Sequence, residues 1–233
     1  MDRATATLSV LIPVYNERDT IAVILEEVRA SPIRKEVIVV NDASTDGSEA
    51  ILEELHQVGW IDKLWHQPLN QGKGAAIRQA MRMSSGEIVI VQDADLEYDP
   101  ADWPVLLEPI LDGRADACFG SRFLAGTHRV LYFWHFVGNK VLTSFSNMLT
   151  NLNLTDMETC YKAIRGDVAR GLVPELRSHR FGFEPEVTAL LAKRKARIYE
   201  VPISYSGRTY AEGKKINWRD GVAAFWHILR FSL

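Results

Sequence analysis

Four carboxylates fall within seven residues in Asp93-Ala94-Asp95-Leu96-Glu97-Tyr98-Asp99. Crowded charges of one sign repel unless a cation compensates them. Oxygen donors of this kind suit a hard divalent ion that keeps some water and also touches a diphosphate. The same residues would serve equally as an acidic, solvated turn. The context favours the first reading. Ile88, Val89, Ile90 and Val91 form a continuous apolar run just upstream. Such a run suits a parallel strand covered on both faces. The acids then stand at the carboxyl end of a central strand, where open α/β sheets bind ligands.

Other polar residues fall in comparable places. Asp42 and Asp46 follow the apolar run Glu36–Val40. A carboxylate after a strand can accept hydrogen bonds from a nucleoside, the role favoured for Asp42. Asp46 reads better as a helix cap. Gly72-Lys73-Gly74 stands at a helix start, where backbone N–H groups and the ammonium can hold phosphate. It lacks the spaced upstream glycine and the following hydroxyl residue of a P-loop, and a flexible helix start explains it equally well. Arg122, Lys140, Arg208, Lys214 and Lys215 are scattered, and each alone reads as a surface charge. Brought together they would form a basic pocket facing the acidic cluster. Cys160 and His135 fit packing. Glu158, Glu184 and Glu186 are candidate general bases, against the commoner fates of cap or salt bridge.

The elements that must position these residues alternate. Strands are predicted at Leu8–Val14, Glu36–Val40, Lys63–His66, Ile88–Gln92, Ala115–Gly120 and Ala196–Tyr205. Helices are predicted after Asp19 or Thr20 through Ala30, around Ile51–Leu55, and over Ala75–Met83, Trp103–Leu111, Asp167–Leu176 and Glu184–Lys195. Alternation of this sort predicts an α/β fold with a mostly parallel sheet. Tyr15–Glu17, Asp42 and Asp93–Asp95 would converge at one edge of it. Arg129–Thr150 is rich in aromatic and aliphatic residues. Trp218–Leu233 spaces its apolar residues by three and four.

The bulk properties exclude some classes. The 233 residues suit one domain with a short appended element, here taken as 1–215 and an amphipathic helix over 216–233. Apolar content of 47% allows a sizeable core, and a net charge of −3 makes no case for nucleic-acid binding. The two cysteines, Cys118 and Cys160, have no metal-binding or redox spacing. No stretch has the length of a signal peptide or of a membrane-spanning helix, so a cytoplasmic protein is expected.

Pro13-Val14-Tyr15-Asn16-Glu17, Val40-Asn41-Asp42-Ala43-Ser44, Asn70-Gln71-Gly72-Lys73-Gly74 and Asp93-Ala94-Asp95 together resemble the family 2 glycosyltransferases of the GT-A fold. The resemblance runs from about Ser9 to about Lys215. Asp95-Leu96-Glu97, Gly120-Ser121-Arg122, Glu200-Val201-Pro202-Ile203 and Arg208…Lys214 resemble the dolichyl-phosphate mannose synthase branch, which moves a sugar from a nucleotide sugar to a polyprenyl phosphate. The resemblance implies that Pro13, Tyr15, Glu17, Val40 and Asp42 line a nucleotide pocket, with Lys73 and Ala94 beside them. It implies that Asp93 and Asp95 form the DxD element and that Asp95 and Glu97, supported by Asp93, hold Mg²⁺ or Mn²⁺. Arg122, Arg208 and Lys214 would hold the diphosphate or the acceptor phosphate. Two departures stand out. Lys140 and Ser144 occupy the spacing where the branch carries Arg and Ser near the lipid phosphate, and Lys is a point charge where Arg offers a fork. Glu97 replaces the usual Gln and adds charge at the metal.

The expected reaction is inverting transfer of a hexose from GDP-mannose or UDP-glucose. A phosphate acceptor is already anionic, which agrees with the lack of an obvious catalytic His or Cys. Asp93, Asp95 and Arg122 would carry the chemistry, largely by bringing two anions together. A hydroxyl acceptor would need a base, with Asp156 and Glu158 the first candidates. A non-catalytic nucleotide-sugar-binding subunit is the alternative from another class. A lipid acceptor requires a membrane surface, which Arg129–Thr150 and Trp218–Leu233 could meet as interfacial elements, or they could simply pack on the domain.

Overall fold

The computed structural model describes residues 6–124, 127–130, 132–180, 182–209 and 218–233. The chain begins with β1 (Leu8–Val14), α1 (Ile21–Ala30), β2 (Lys35–Asn41), α2 (Ser48–Gln57), β3 (Lys63–His66), α3 (Lys73–Met83) and β4 (Ile88–Val91). It continues through α4 (Trp103–Leu111), β5 (Ala117–Ser121), α5 (Phe133–Thr150), β6 (Lys162–Arg165), α6 (Gly166–Leu172), α7 (Phe183–Lys193), β7 (Ile198–Pro202) and α8 (Trp218–Ser232).

Among the described residues the strands form one sheet in the order β3-β2-β1-β4-β6-β5-β7. β1 pairs parallel with β2 and β4, β2 with β3, and β5 with β7. The sheet is the expected mostly parallel one, and its runs are apolar because both faces are covered: every residue of Ile88–Val91 is buried. Strand β6 departs from the expectation. No strand is predicted there, yet Lys162–Arg165 inserts antiparallel between β4 and β5. Its four residues, KAIR, hold only two apolar side chains, and buried Lys162 breaks the apolar pattern. The Lys162 ammonium is satisfied by the carbonyls of Met157 and Thr159. Other boundaries shift by a few residues, as at β5 and at the C-terminal end of α6.

The insertion has a positional consequence. The carboxyl ends of β1, β2, β4, β5 and β7 and the amino end of β6 all face one edge of the sheet. Helix α8 lies across α5 and α7, burying Ala224 and Ile228 and setting the Phe225 ring in tilted contact with that of Phe145. Phe225 and Trp226 keep much of their surface exposed. No helix among the described residues is long and apolar enough to cross a membrane.

Candidate functional site

The loops at this edge are strained. Asn16, Ala43 and Leu96, in the loops after β1, β2 and β4, have φ of 53°, 56° and 62°. Left-handed backbone is unfavourable for Ala and Leu and is held only where surrounding structure dictates it. These loops frame a cleft of 1120 Å³, large enough for a nucleotide sugar with room for a second substrate.

Asp95 and Glu97 meet a cation there. Arg208 Nη2 lies 2.9 Å from Asp95 Oδ2, Nε 3.5 Å from Glu97 Oε1, and Nη1 3.6 Å from Glu17 Oε2. The Arg208 backbone N–H donates to Glu97 Oε1 at 2.9 Å, and the Tyr205 hydroxyl donates to Glu97 Oε2 at 2.7 Å. Burial, then the charges of Asp93 and Glu97, push the Asp95 carboxyl up to about 7 despite Arg208. Two hard carboxylates drawn to one cation, with negative charge in excess around them, fit a divalent metal. Among the described residues no group of three acidic, His or Cys side chains encloses a metal site.

Asp93 faces elsewhere. Lys73 Nζ stands 2.8 Å from Asp93 Oδ1 and 3.1 Å from Glu184 Oε1. Burial opposes the Lys73 charge, but these carboxylates outweigh it and keep the ammonium protonated. The flanking glycines serve packing: a Cβ on Gly72 would lie 2.4 Å from the His179 carbonyl oxygen, and one on Gly74 2.9 Å from that of Ser178. The Gly74 and Ala75 N–H groups donate to the carbonyls of Arg180 and His179, so this helix start is already bonded to protein.

Asp42 clamps the loop before α3. Its Oδ1 accepts from Gln67 Nε2 and the Gln71 N–H, and its Oδ2 from the Gly72 N–H at 2.7 Å. Burial raises its carboxyl, and the two backbone donors oppose the rise. Asp46 accepts from the N–H and hydroxyl of Ser48 at the start of α2, as a capping residue does, and from the Arg18 N–H.

The basic residues divide. Arg122 lines the cleft but forks onto buried Asp156, at 2.7 Å from Nε to Oδ2 and from Nη2 to Oδ1. That pairing makes Asp156 a structural counter-charge, with Glu200 accepting its N–H. The Lys140 ammonium donates to the Thr155 carbonyl at 3.1 Å and lies over the Phe123 ring. The cleft lining includes Pro13, Tyr15, Glu17, Asp42, Lys73, Asp93, Ala94, Asp95, Glu97, Arg122 and Arg208. It does not include Lys140, Ser144 or Val40, and Val40 is buried within β2. Lys214 and Lys215 lie outside the described residues. Glu186 accepts from the N–H groups of Arg177 and Ser178 and from the Ser178 hydroxyl, the structural role open to it.

Sequence reasoning passed over several residues of the cleft. Arg180 and Arg129 add cations to its lining, and Tyr205 joins its acidic end. The residue 127–130 segment pairs with the loop after β7: His128 bridges Tyr205, and the N–H groups of Arg129 and Tyr205 donate to the carbonyls of Tyr205 and Thr127. No local pattern marks this pairing, because it joins segments more than 70 residues apart. At the cleft mouth Phe133 and Trp134 are 65% and 77% exposed.

Comparison with known proteins places this arrangement. The chain is 30% identical to an undecaprenyl-phosphate mannosyltransferase of Micrococcus luteus, over 96% of this chain and 97% of that protein. It is 28% identical to a polyprenol monophosphomannose synthase of Mycolicibacterium smegmatis, over 91% of this chain and 82% of that protein. Glucosyl-3-phosphoglycerate synthase of Mycobacterium tuberculosis, solved with Mn²⁺, UDP and glucosyl-3-phosphoglycerate, shares the GT-A fold at a TM-score of 0.72 and 19% identity, over 97% of this chain and 78% of that one. The family model for glycosyl transferase family 2 matches residues 9–172. The chain therefore belongs to glycosyl transferase family 2, and it is a glycosyltransferase.

Proposed function

We propose that the protein transfers a hexose from a nucleotide sugar to a polyprenyl phosphate at a membrane surface, assisted by Mg²⁺ or Mn²⁺. The observation that carries this reading is the polarity of this cleft. Its inner end holds the Asp95–Arg208–Glu97 arrangement, and its mouth opens among Val130, Phe133 and Trp134, all strongly exposed. One cavity thus offers sites for a charged diphosphate and for an apolar chain. The names of the relatives support a polyprenyl phosphate acceptor, with mannose as the sugar.

In this reading Asp95 and Glu97 would hold the metal, which supplies positive charge to the departing diphosphate. Arg208 adds a fixed charge beside them. Tyr205, through its bond to Glu97, orients that carboxylate. Lys73 joins Asp93 to Glu184 in the same cleft. Arg122, Arg129 and Arg180 line the route of an anionic acceptor. Because that acceptor is already charged, orientation of two anions is the main task of the protein. The exposed aromatics and the open face of α8 would rest in the lipid interface, giving a peripheral protein of the cytoplasmic membrane face.

A hydroxyl acceptor is the second reading, and the observation favouring it is Glu158. Asp156 is committed to Arg122, whereas the Glu158 carboxyl, pushed up to about 7 first by burial and then by Glu184, lines the cleft. A carboxyl tuned to that range suits a general base.

Incubation with labelled GDP-mannose or UDP-glucose and polyprenyl phosphate, followed by organic extraction, tests the first reading. Metal-dependent label in the organic phase is expected, and Asp95→Asn should lower it at least about 100-fold. Transfer confined to the aqueous phase would establish the second reading.

A further inference from the structure

We propose that Glu158 and Glu184 recognise hydroxyl groups of the transferred sugar and so set which hexose the protein accepts. This rests on the nucleotide-sugar reading of the cleft and adds to it the residues that choose among sugars. Both side chains line the cleft together with Lys73, Asp93 and Cys160. Glu184 is 5% exposed. The Oε1 atom of Glu158 is shut off from solvent and has no hydrogen-bond partner among the described residues. A buried acceptor without a donor is costly and marks a place where a ligand group completes the bonding.

The chemistry of the pair narrows the ligand. An anion is excluded from their side of the cleft by two carboxylates that already repel one another: the charge of Glu184 helps raise the Glu158 carboxyl, after burial itself. A further cation is not called for. Lys73 already bridges Asp93 and Glu184, and Lys162 lies close enough to feel both Glu158 and Glu184. What remains is a neutral group rich in O–H donors. A hexose is that group, and its epimers differ only in where the donors point. Hydrogen bonds from a hydroxyl to a carboxylate are charge-assisted and directional. A site built to receive a hydroxyl rejects the isomer that cannot supply it.

The two carboxylates also have the support a selective site needs. Glu184 sits in the first turn of α7, where the helix dipole favours a negative charge. Lys73 fixes it at 3.1 Å while holding Asp93 at 2.8 Å. Glu158 precedes β6, whose insertion beside β4 sets Cys160 against the Val91 carbonyl and brings this loop next to Asp93.

The test is calorimetric binding to the full chain with Mg²⁺, comparing GDP with GDP-mannose and UDP with UDP-glucose. Wild type, Glu158→Ala and Glu184→Gln are each measured. Expected is nucleoside diphosphate affinity within about twofold of wild type in both variants, with at least about a tenfold loss of the extra affinity conferred by the sugar. Retained nucleotide binding shows that a variant is folded; if Glu158→Ala loses it, Glu158→Gln, which preserves volume, decides by the same comparison. Variants that keep the sugar increment overturn the assignment. A lowered turnover with an unchanged sugar increment also overturns it, and gives Glu158 a proton-transfer role instead. Failure of the wild-type protein to bind either nucleoside diphosphate would overturn the proposed function, and this assignment with it.

Discussion

The Arg208 guanidinium lies 2.9 Å from Asp95, between that carboxylate and Glu97, where a divalent cation would be held. Under the proposed function, an organic cation and a metal ion would compete for the same two side chains. Replacing Arg208 by Gln should tighten Mn²⁺ binding in the absence of nucleotide, by roughly five- to tenfold, since a positive charge leaves the site. The same substitution should lower transfer about 100-fold, because the departing diphosphate loses a fixed charge. Mn²⁺ titration followed by electron paramagnetic resonance, set beside steady-state transfer, checks both. Weaker metal binding in Arg208→Gln would show that Arg208 supports the metal.

Arg122, in the cleft lining, forms an ion pair with buried Asp156. Breaking such a pair leaves an uncompensated charge, at a cost of about 3–5 kcal/mol. Asp156→Asn should therefore lower the melting temperature markedly, and calorimetric unfolding measures it. An unchanged melting temperature would free Asp156 for the role of base that its structural pairing denies it.

At the opposite edge of the sheet, Glu36 accepts from the Ser9 hydroxyl, the Ser85 N–H and hydroxyl, the Gly86 N–H and the Lys63 ammonium. Burial acts to raise its carboxyl, but the bonds from Lys63, Ser9 and Ser85 outweigh it and hold the group down at about 2, against an ordinary value of 4.5. A depressed folded value contributes stability above the unfolded value and loses it as the pH falls. The expected loss thus lies between about pH 4.5 and pH 2. Glu36→Gln should be less stable than wild type at pH 7 and should show a flatter decline across that window. Urea unfolding at stepped pH values makes the comparison. Parallel declines in the two proteins would remove Glu36 from the account.

Phe133 and Trp134 stand exposed at the mouth of the cleft. Replacing both by Ser should leave stability within about 0.5 kcal/mol per site, as exposed positions usually do. Sedimentation with phospholipid vesicles should fall, and the KM for a long-chain polyprenyl phosphate should rise with little change for a short, water-soluble prenyl phosphate. Equal effects on the two acceptors would place these aromatics in acceptor binding itself, not at a lipid surface.

The frame of the site was legible in the sequence because it follows from local periodicity. β1, β3 and α4 fall on their predicted residues, and the acids after β4 stand at the edge assigned to them. What escaped depends on pairing between distant segments. Lys140 and Ser144 share a helix face by their spacing, but the docking of α5 turns the Lys140 ammonium to Thr155 and Phe123. Lys162 made β6 unreadable, since a buried ammonium on two backbone carbonyls has no apolar signature. Glu36 carried no motif at all, and its partners come from β1, from β3 and from the turn before β4.

The pairing of His128 with Tyr205 joins a segment that lines the cleft to the loop that carries Arg208. Any ligand that changes the ordering of one of these segments changes the cost of ordering the other. Thermodynamic reciprocity then applies: whatever factor a donor analogue imposes on acceptor affinity, the acceptor imposes on the donor. Under the proposed function, this short backbone pairing at Tyr205, whose hydroxyl also holds Glu97, would couple the two substrates.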